Sequence, residues 1–155
     1  MRRVALVLML VLPSCKEQAS NRGVNVVAPI LSTDQYNKKI MDVFSSSDFK
    51  VFPCSVYKDG RFKNSSAKCI FSKLTREEVV QIIEEGVREF ASEGLWVEDY
   101  GQYHTGYLLN HDSTYEFGFG VSRVAYKDLD FKSNPDIWGK FESDIIFTPI
   151  YKRKE

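Results

Sequence analysis

The apolar residues of this chain change their spacing at Gly94, and that change dictates a fold of mixed type. Before it, Val79, Ile82, Ile83, Val87 and Phe90, with Val80 and Ala91 beside them, fall on one half of a helical wheel. Glu77, Gln81, Glu84, Glu85, Arg88 and Ser92 fill the other half, so this helix has one face to bury. Its start is marked by Thr75-Arg76-Glu77-Glu78, a capping box in which Thr75 and Glu78 satisfy backbone N–H groups that no helical carbonyl reaches. Gly94 is the expected terminator. Beyond it come aromatic and β-branched segments cut by turn residues, at 95–97, 103–109, 114–126 and 144–151. In the third, Tyr115, Phe117, Phe119 and Val121 alternate with Glu116, Gly118, Gly120 and Ser122, as in a strand with one large-residue face.

Earlier in the chain, Ser32 or Thr33 caps a helix expected over 34–44, where Tyr36, Ile40, Val43 and Phe44 share a side. Segments 51–57 and 67–74 flank a polar stretch containing Asp59-Gly60 and read as a β-hairpin. Asn110-His111-Asp112-Ser113 reads as a hairpin turn, and Asn134-Pro135-Asp136 as the start of a short helical turn through Trp138. Together these predict an α+β fold: an antiparallel sheet of five or six strands, with two helices packed on one face or end. At 155 residues with 43% hydrophobic content, the chain suits a single globular domain, expected over 33–155.

The N-terminus carries a different signal. Arg2 and Arg3 precede the unbroken apolar run 4–12, which is too short to span a bilayer and is the length of a signal-peptide core. Leu12-Pro13-Ser14-Cys15 follows, and it resembles the lipobox of bacterial lipoproteins, although Pro13 departs from the commoner residues at its position. The resemblance covers the targeting segment alone. It implies that residues 1–14 are a signal removed before Cys15, that the Cys15 thiol carries a diacylglyceryl group, and that residues 15–32 tether the domain to a lipid bilayer. Lys16 stands where lipoproteins kept at the inner membrane often have Asp, so the resemblance points to the outer membrane, facing the periplasm.

With Cys15 given to the anchor, Cys54 and Cys69 remain as a pair in a compartment where disulfides form. A bond between them staples the expected hairpin. The pair lacks C-x-x-C spacing and has no histidine near it, which argues against a redox or metal site.

The net charge is zero, and losing Arg2 and Arg3 leaves the basic residues two short of the 21 acidic ones. No basic field exists to attract nucleic acid. The histidines, His104 and His111, lie near Asp99 and Asp112 in sequence, but not at the spacing of a helix-borne metal motif. No nucleophile elbow, metalloprotease helix or phosphate-binding glycine loop occurs, so neither an enzyme nor a cofactor or metal is expected. Gly118-Phe119-Gly120 reads as close packing or a bulge. Trp96, Tyr100, Tyr103 and Tyr107 mix rings with polar groups in a way that suits sugar stacking or a protein hot spot, though the simpler account is a sheet with few aliphatic residues that fills its core with rings. The acidic stripe Glu77, Glu84, Glu85 and Glu89 could meet a basic partner, or simply face water. The preferred expectation is a non-enzymatic envelope lipoprotein that binds a protein partner, with immunity against a delivered toxin as its favoured form. Binding of peptidoglycan or another glycan stands second, and a metal-binding or hydrolytic role through His104 and His111 third.

Overall fold

The computed structural model describes residues 30–154 apart from positions 61, 63, 64 and 93. The expected signal, Cys15 and the tether as far as residue 29 lie outside the described residues. Helix α1 (Thr33–Asp42) is capped by Ser32, not Thr33. The Ser32 hydroxyl accepts from the Gln35 N–H, and Gln35 accepts in return from the Ser32 N–H at 2.7 Å. Helix α2 (Arg76–Val87) begins with the expected box between Thr75 and Glu78. Donation from the Thr75 backbone N–H, and then from its hydroxyl, holds the Glu78 carboxyl below its usual range.

Gly94 does not end α2, which stops at Val87. The sheet takes over the backbone first: Ala91 bridges to Leu109, the Ser92 N–H donates to the Leu108 carbonyl, and the Leu108 N–H donates to Ser92 Oγ. The two helices approach closely at Gly86, where an added Cβ would lie 2.5 Å from Val43 Cγ2.

Six antiparallel strands form one sheet: β1 (Phe49–Phe52), β2 (Lys68–Ser72), β3 (Val97–Asp99), β4 (Gln102–Leu109), β5 (Asp112–Arg123) and β6 (Ser143–Lys152). Their spatial order is β1-β2-β6-β5-β4-β3, which places the last strand in the middle. The expected hairpin exists, but its first strand ends at Phe52. Pro53 has no N–H to give the ladder, and Cys54–Val56 turns as a 3-10 helix instead. The strand expected at 95–97 shifts to Val97–Asp99 and returns through Tyr100 and Gly101, both at positive φ. Strand β5 starts at Asp112, so the turn before it shrinks to Asn110-His111. Pro149 in β6 displaces the register, leaving Pro149 and Ile150 opposite Phe117 in a bulge. The short turn near the C-terminus spans Pro135–Ile137, and Asn134 does not cap it; its amide donates to the Asp130 carbonyl.

Both sheet faces carry apolar clusters. On one, Ile40, Val79, Ile83 and Val87 from the helices meet Ile70, Tyr107, Phe117, Phe119, Ile145 and Phe147. On the other, the strand-free segments around 53–57 and 124–141 cover only the β1–β2 end, burying Phe52, Val56, Cys69, Phe71, Leu129, Ile137 and Phe141. The Cys54–Cys69 disulfide fastens the first of these segments to β2. The bond spans a separation of 15 residues, a loop whose closure is worth about 3 kcal/mol on the chain-entropy model. Replacing both cysteines with alanine is therefore expected to lower unfolding free energy by about 3 kcal/mol in urea titrations. A loss under about 1 kcal/mol would show that the covering segments hold without it.

Candidate functional site

The part of the second face left uncovered is floored by glycine. Strand alternation sets Gln102, His104 and Gly106 of β4 beside Ser122, Gly120 and Gly118 of β5, and these in turn beside Asp144, Ile146 and Thr148 of β6. Three glycines thus occupy adjoining positions in two strands. Glycine weakens a strand interior and marks places where a ligand or another backbone comes close. Above this floor lies an open cavity of about 610 Å³. Leu95 and Val97 rim it on the β3 side, and Tyr57 and Phe62 on the side of the covered cluster. Leu95 is 81% exposed and Val97 54%, so this rim presents apolar surface to solvent.

The polar groups sit around the glycines. The Glu116 carboxylate reaches over Gly106, where an added Cβ would lie 2.6 Å from its Oε1, and His104 lies against Gly120. Arg153 pairs with Glu116 at 3.5 Å. Tyr151 faces the same carboxylate; burial first, and then the Glu116 charge, push its phenol upward. At the inner wall Asp144, 7% exposed, accepts from the Tyr57 hydroxyl at 2.5 Å and from Ser122 Oγ at 2.6 Å. Tyr57 is held for this by a short ladder between the covering segments: the Lys58 N–H donates to the Asp128 carbonyl, and the Asp130 N–H to that of Val56. The disulfide three residues before Tyr57 anchors the same segment.

The residues expected to form an aromatic site are dispersed. Tyr107 is 1% exposed and stacks on Phe117 beneath α2. Trp96 packs, half-buried, against that helix-side cluster. Tyr103 stacks under the Arg76 guanidinium at 4.8 Å and donates to Glu77. Tyr100 stands 99% exposed at its hairpin tip. Of the acidic stripe, Glu77 pairs with Arg76 and Glu89 with Lys39, Glu84 lies near Tyr107, and Glu85 faces water. His104 is on the glycine floor, whereas His111 stacks on Tyr36 at the far hairpin and shares a 3.2 Å hydrogen bond with its hydroxyl. Asp99 lies on β3 and Asp112 at the start of β5, where Thr114 bonds its carboxylate. Among the described residues, no group of three or more His, Cys, Asp or Glu gathers as a metal site would require.

Glu116, Gly118, Gly120 and Ser122 already alternated with the aromatic residues in the sequence, so the floor's outline was present there. The contributions of Gly106, Tyr57 and Asp144 depend on register and on long-range bonding, which no local pattern carries. The Tyr57–Asp144 bond joins a buried carboxylate to a phenol, a class worth about 1.5–3 kcal/mol. Tyr57→Phe is expected to cost that much in urea denaturation, and Tyr151→Phe on the exposed rim less than about 0.5 kcal/mol; equal costs would remove Asp144 as the organiser of this wall. Comparison of the chain with family models, with curated proteins and with solved structures finds no match to any of the three.

Proposed function

We propose that this chain is a non-enzymatic capture module of the bacterial envelope, held to a lipid bilayer through Cys15, that binds a protein partner on its glycine-floored sheet face. The observation that carries the reading is the floor itself. Gly106, Gly118 and Gly120 add no side chains of their own between an exposed apolar rim and the Tyr57 wall, so only the ends of Glu116 and His104 lie over them, and a sheet surface of this kind can admit a partner's side chains at close range. The exposed Leu95 and Val97 add apolar area at the edge, while Glu116, Arg153 and His104 offer polar groups for register. Blocking a delivered toxin is the form of this function that asks least of the chain, since it needs one tight interface and no reacting group. The anchor rests on the resemblance of residues 12–15 to a lipobox. Acyl chains contribute about 0.8 kcal/mol per buried methylene, so a multiply acylated terminus would hold the domain at the bilayer.

Two measurements test the two halves separately. Tagged full chain carrying Cys15→Ser, mixed with envelope extract, should recover a discrete partner. Gly106→Val and Gly120→Val, which fill the floor while favouring strand structure, should lower that recovery at least tenfold at unchanged melting temperature. The added Cβ meets only the tip of Glu116 at the first position and sits 3.4 Å from His104 at the second, so both variants should fold. Recovery that ignores both substitutions, or no partner at all, overturns capture on this face. Mass spectrometry of the native product should show loss of residues 1–14 and a lipid on Cys15; an intact Met1 with an unmodified Cys15 overturns the anchor and leaves capture to its own test.

A further inference from the structure

The strand-free segment at 124–141 buries Leu129, Ile137 and Phe141 but leaves a group of rings at the surface. Trp138 stands edge-on to Phe131 at 4.6 Å and to Tyr126 at 5.4 Å, and Tyr126 stacks on Phe131 at 6.1 Å. The Tyr126 hydroxyl donates to the Phe141 carbonyl at 2.6 Å and accepts from the Phe141 N–H at 3.1 Å, which fixes the inner ring. Trp138 is nonetheless 63% exposed, although Ile137 beside it is fully buried. Lysines surround these rings. Lys58 lies over Phe131 at 6.0 Å and donates to the Lys127 carbonyl at 2.8 Å. Lys127 and Lys132 are the chain neighbours of Tyr126 and Phe131, Lys140 follows Trp138 by two residues, and Lys50 reaches in from β1; all five are exposed. The acids nearby are engaged or face elsewhere. Asp136 pairs with Lys140 at 3.6 Å and with Lys50 at 3.9 Å, and Asp130 accepts from the Ser133 hydroxyl at 2.7 Å and the Lys132 N–H at 3.1 Å. Asp59 has a partner of its own, and Asp128 lines the glycine-floored cavity. Positions 61, 63 and 64, outside the described residues, are Arg, Lys and Asn, so the sequence adds no acid there.

We propose that this surface rests on the anionic headgroups of a lipid bilayer, with the Trp138 indole seated at the boundary between headgroups and acyl chains. An indole pairs an apolar body with one N–H donor, the combination that suits such a boundary. The potential of an anionic leaflet fades within a Debye length, so cations assist only where they lie close to the inserted ring, as the lysines here do. Because Asp130 and Asp136 are already bonded, the free charge around Trp138 is positive and complements an anionic surface. The contacts to Tyr126 and Phe131 hold the indole in place beforehand, so seating it costs little side-chain freedom. The proposal rests on the anchor reading only for the bilayer's being within reach, and it is independent of capture on the glycine floor.

The native product, purified with its own N-terminus and mixed with vesicles of brominated lipid, provides the test, because bromine on an acyl chain quenches an indole only at contact range. The chain has two tryptophans, so subtracting the emission of Trp138→Phe from that of the unaltered protein isolates Trp138 from Trp96. In vesicles of phosphatidylcholine with phosphatidylglycerol, the Trp138 emission should fall by about half or more, and in phosphatidylcholine alone it should hold. Lys127→Glu combined with Lys132→Glu should restore the emission at unchanged melting temperature, since both side chains are exposed. Flotation of the same vesicles reports the anchor separately. Protein that floats with both lipids but is quenched in neither keeps the anchor and overturns this surface; protein that floats and is quenched only with the anionic lipid supports the surface without the anchor. Quenching that ignores lipid charge, or that survives the lysine reversal, also overturns the proposal. An emission shift with soluble polyphosphate, without quenching in vesicles, assigns the lysines to a polyanion and overturns the bilayer as the occupant.

Discussion

A six-stranded sheet has two faces to keep from water, and the helices described here serve only one of them. The other depends on segments without regular structure, tied down by the Cys54–Cys69 bond and by a ladder of a few hydrogen bonds between residues 56–58 and 128–130. These segments reach across β1, β2 and the adjoining part of β6 and no further. Whatever lies beyond their reach must tolerate exposure, and the residues found there, glycine, histidine, glutamate and threonine, are ones that do. The glycine floor is thus the part of the second face that the covering segments leave over, and the Tyr57–Asp144 bond marks the border between the two regimes.

This division explains what the sequence could and could not disclose. The start of α2 was legible because a capping box is a four-residue signal, whereas the cap of α1 was narrowed only to Ser32 or Thr33 and its box with Gln35 was not read. Strand identity was legible from alternation, and the disulfide from a pair of cysteines set in the two apolar segments of an expected hairpin. Helix ends were not legible: α2 gives way to the sheet edge at Ala91, a contact with residues almost twenty positions later. The second apolar cluster was missed for the same reason, since Val56, Leu129, Ile137 and Phe141 come from segments with no period of their own. The aromatic residues near residue 100 showed the opposite failure. They looked like one exposed surface because they are close in the chain, but Tyr107 lies buried under α2, Trp96 and Tyr103 pack part-buried against the same helix-side cluster, and Tyr100 alone stands in solvent.

The two cavities differ as their surroundings do. The open face is broad, with glycine and polar groups at its centre and the exposed Leu95 and Val97 at its rim. The cavity beside Tyr107 and the C-terminal end of α2 is smaller, about 420 Å³, and has Glu84 and Arg88 among its lining residues. Tyr107 shows how one strand serves both sides: its ring belongs to the helix-side core, and the next outward position, Gly106, is floor beneath the Glu116 carboxylate.

Strand β6 has a further consequence. It is the final strand in the chain and the central one in space, and it pairs with β2 and β5, which are otherwise unconnected by any ladder. Until residues 143–152 are available, the β1–β2 hairpin and the β3–β4–β5 meander are separate pieces with unpaired edges. A polypeptide of this topology therefore closes its sheet only when residues 143–152 enter between β2 and β5. Any route that carries the chain N-terminus first through a narrow pore would meet a pliable strand, and folding would close only on the far side.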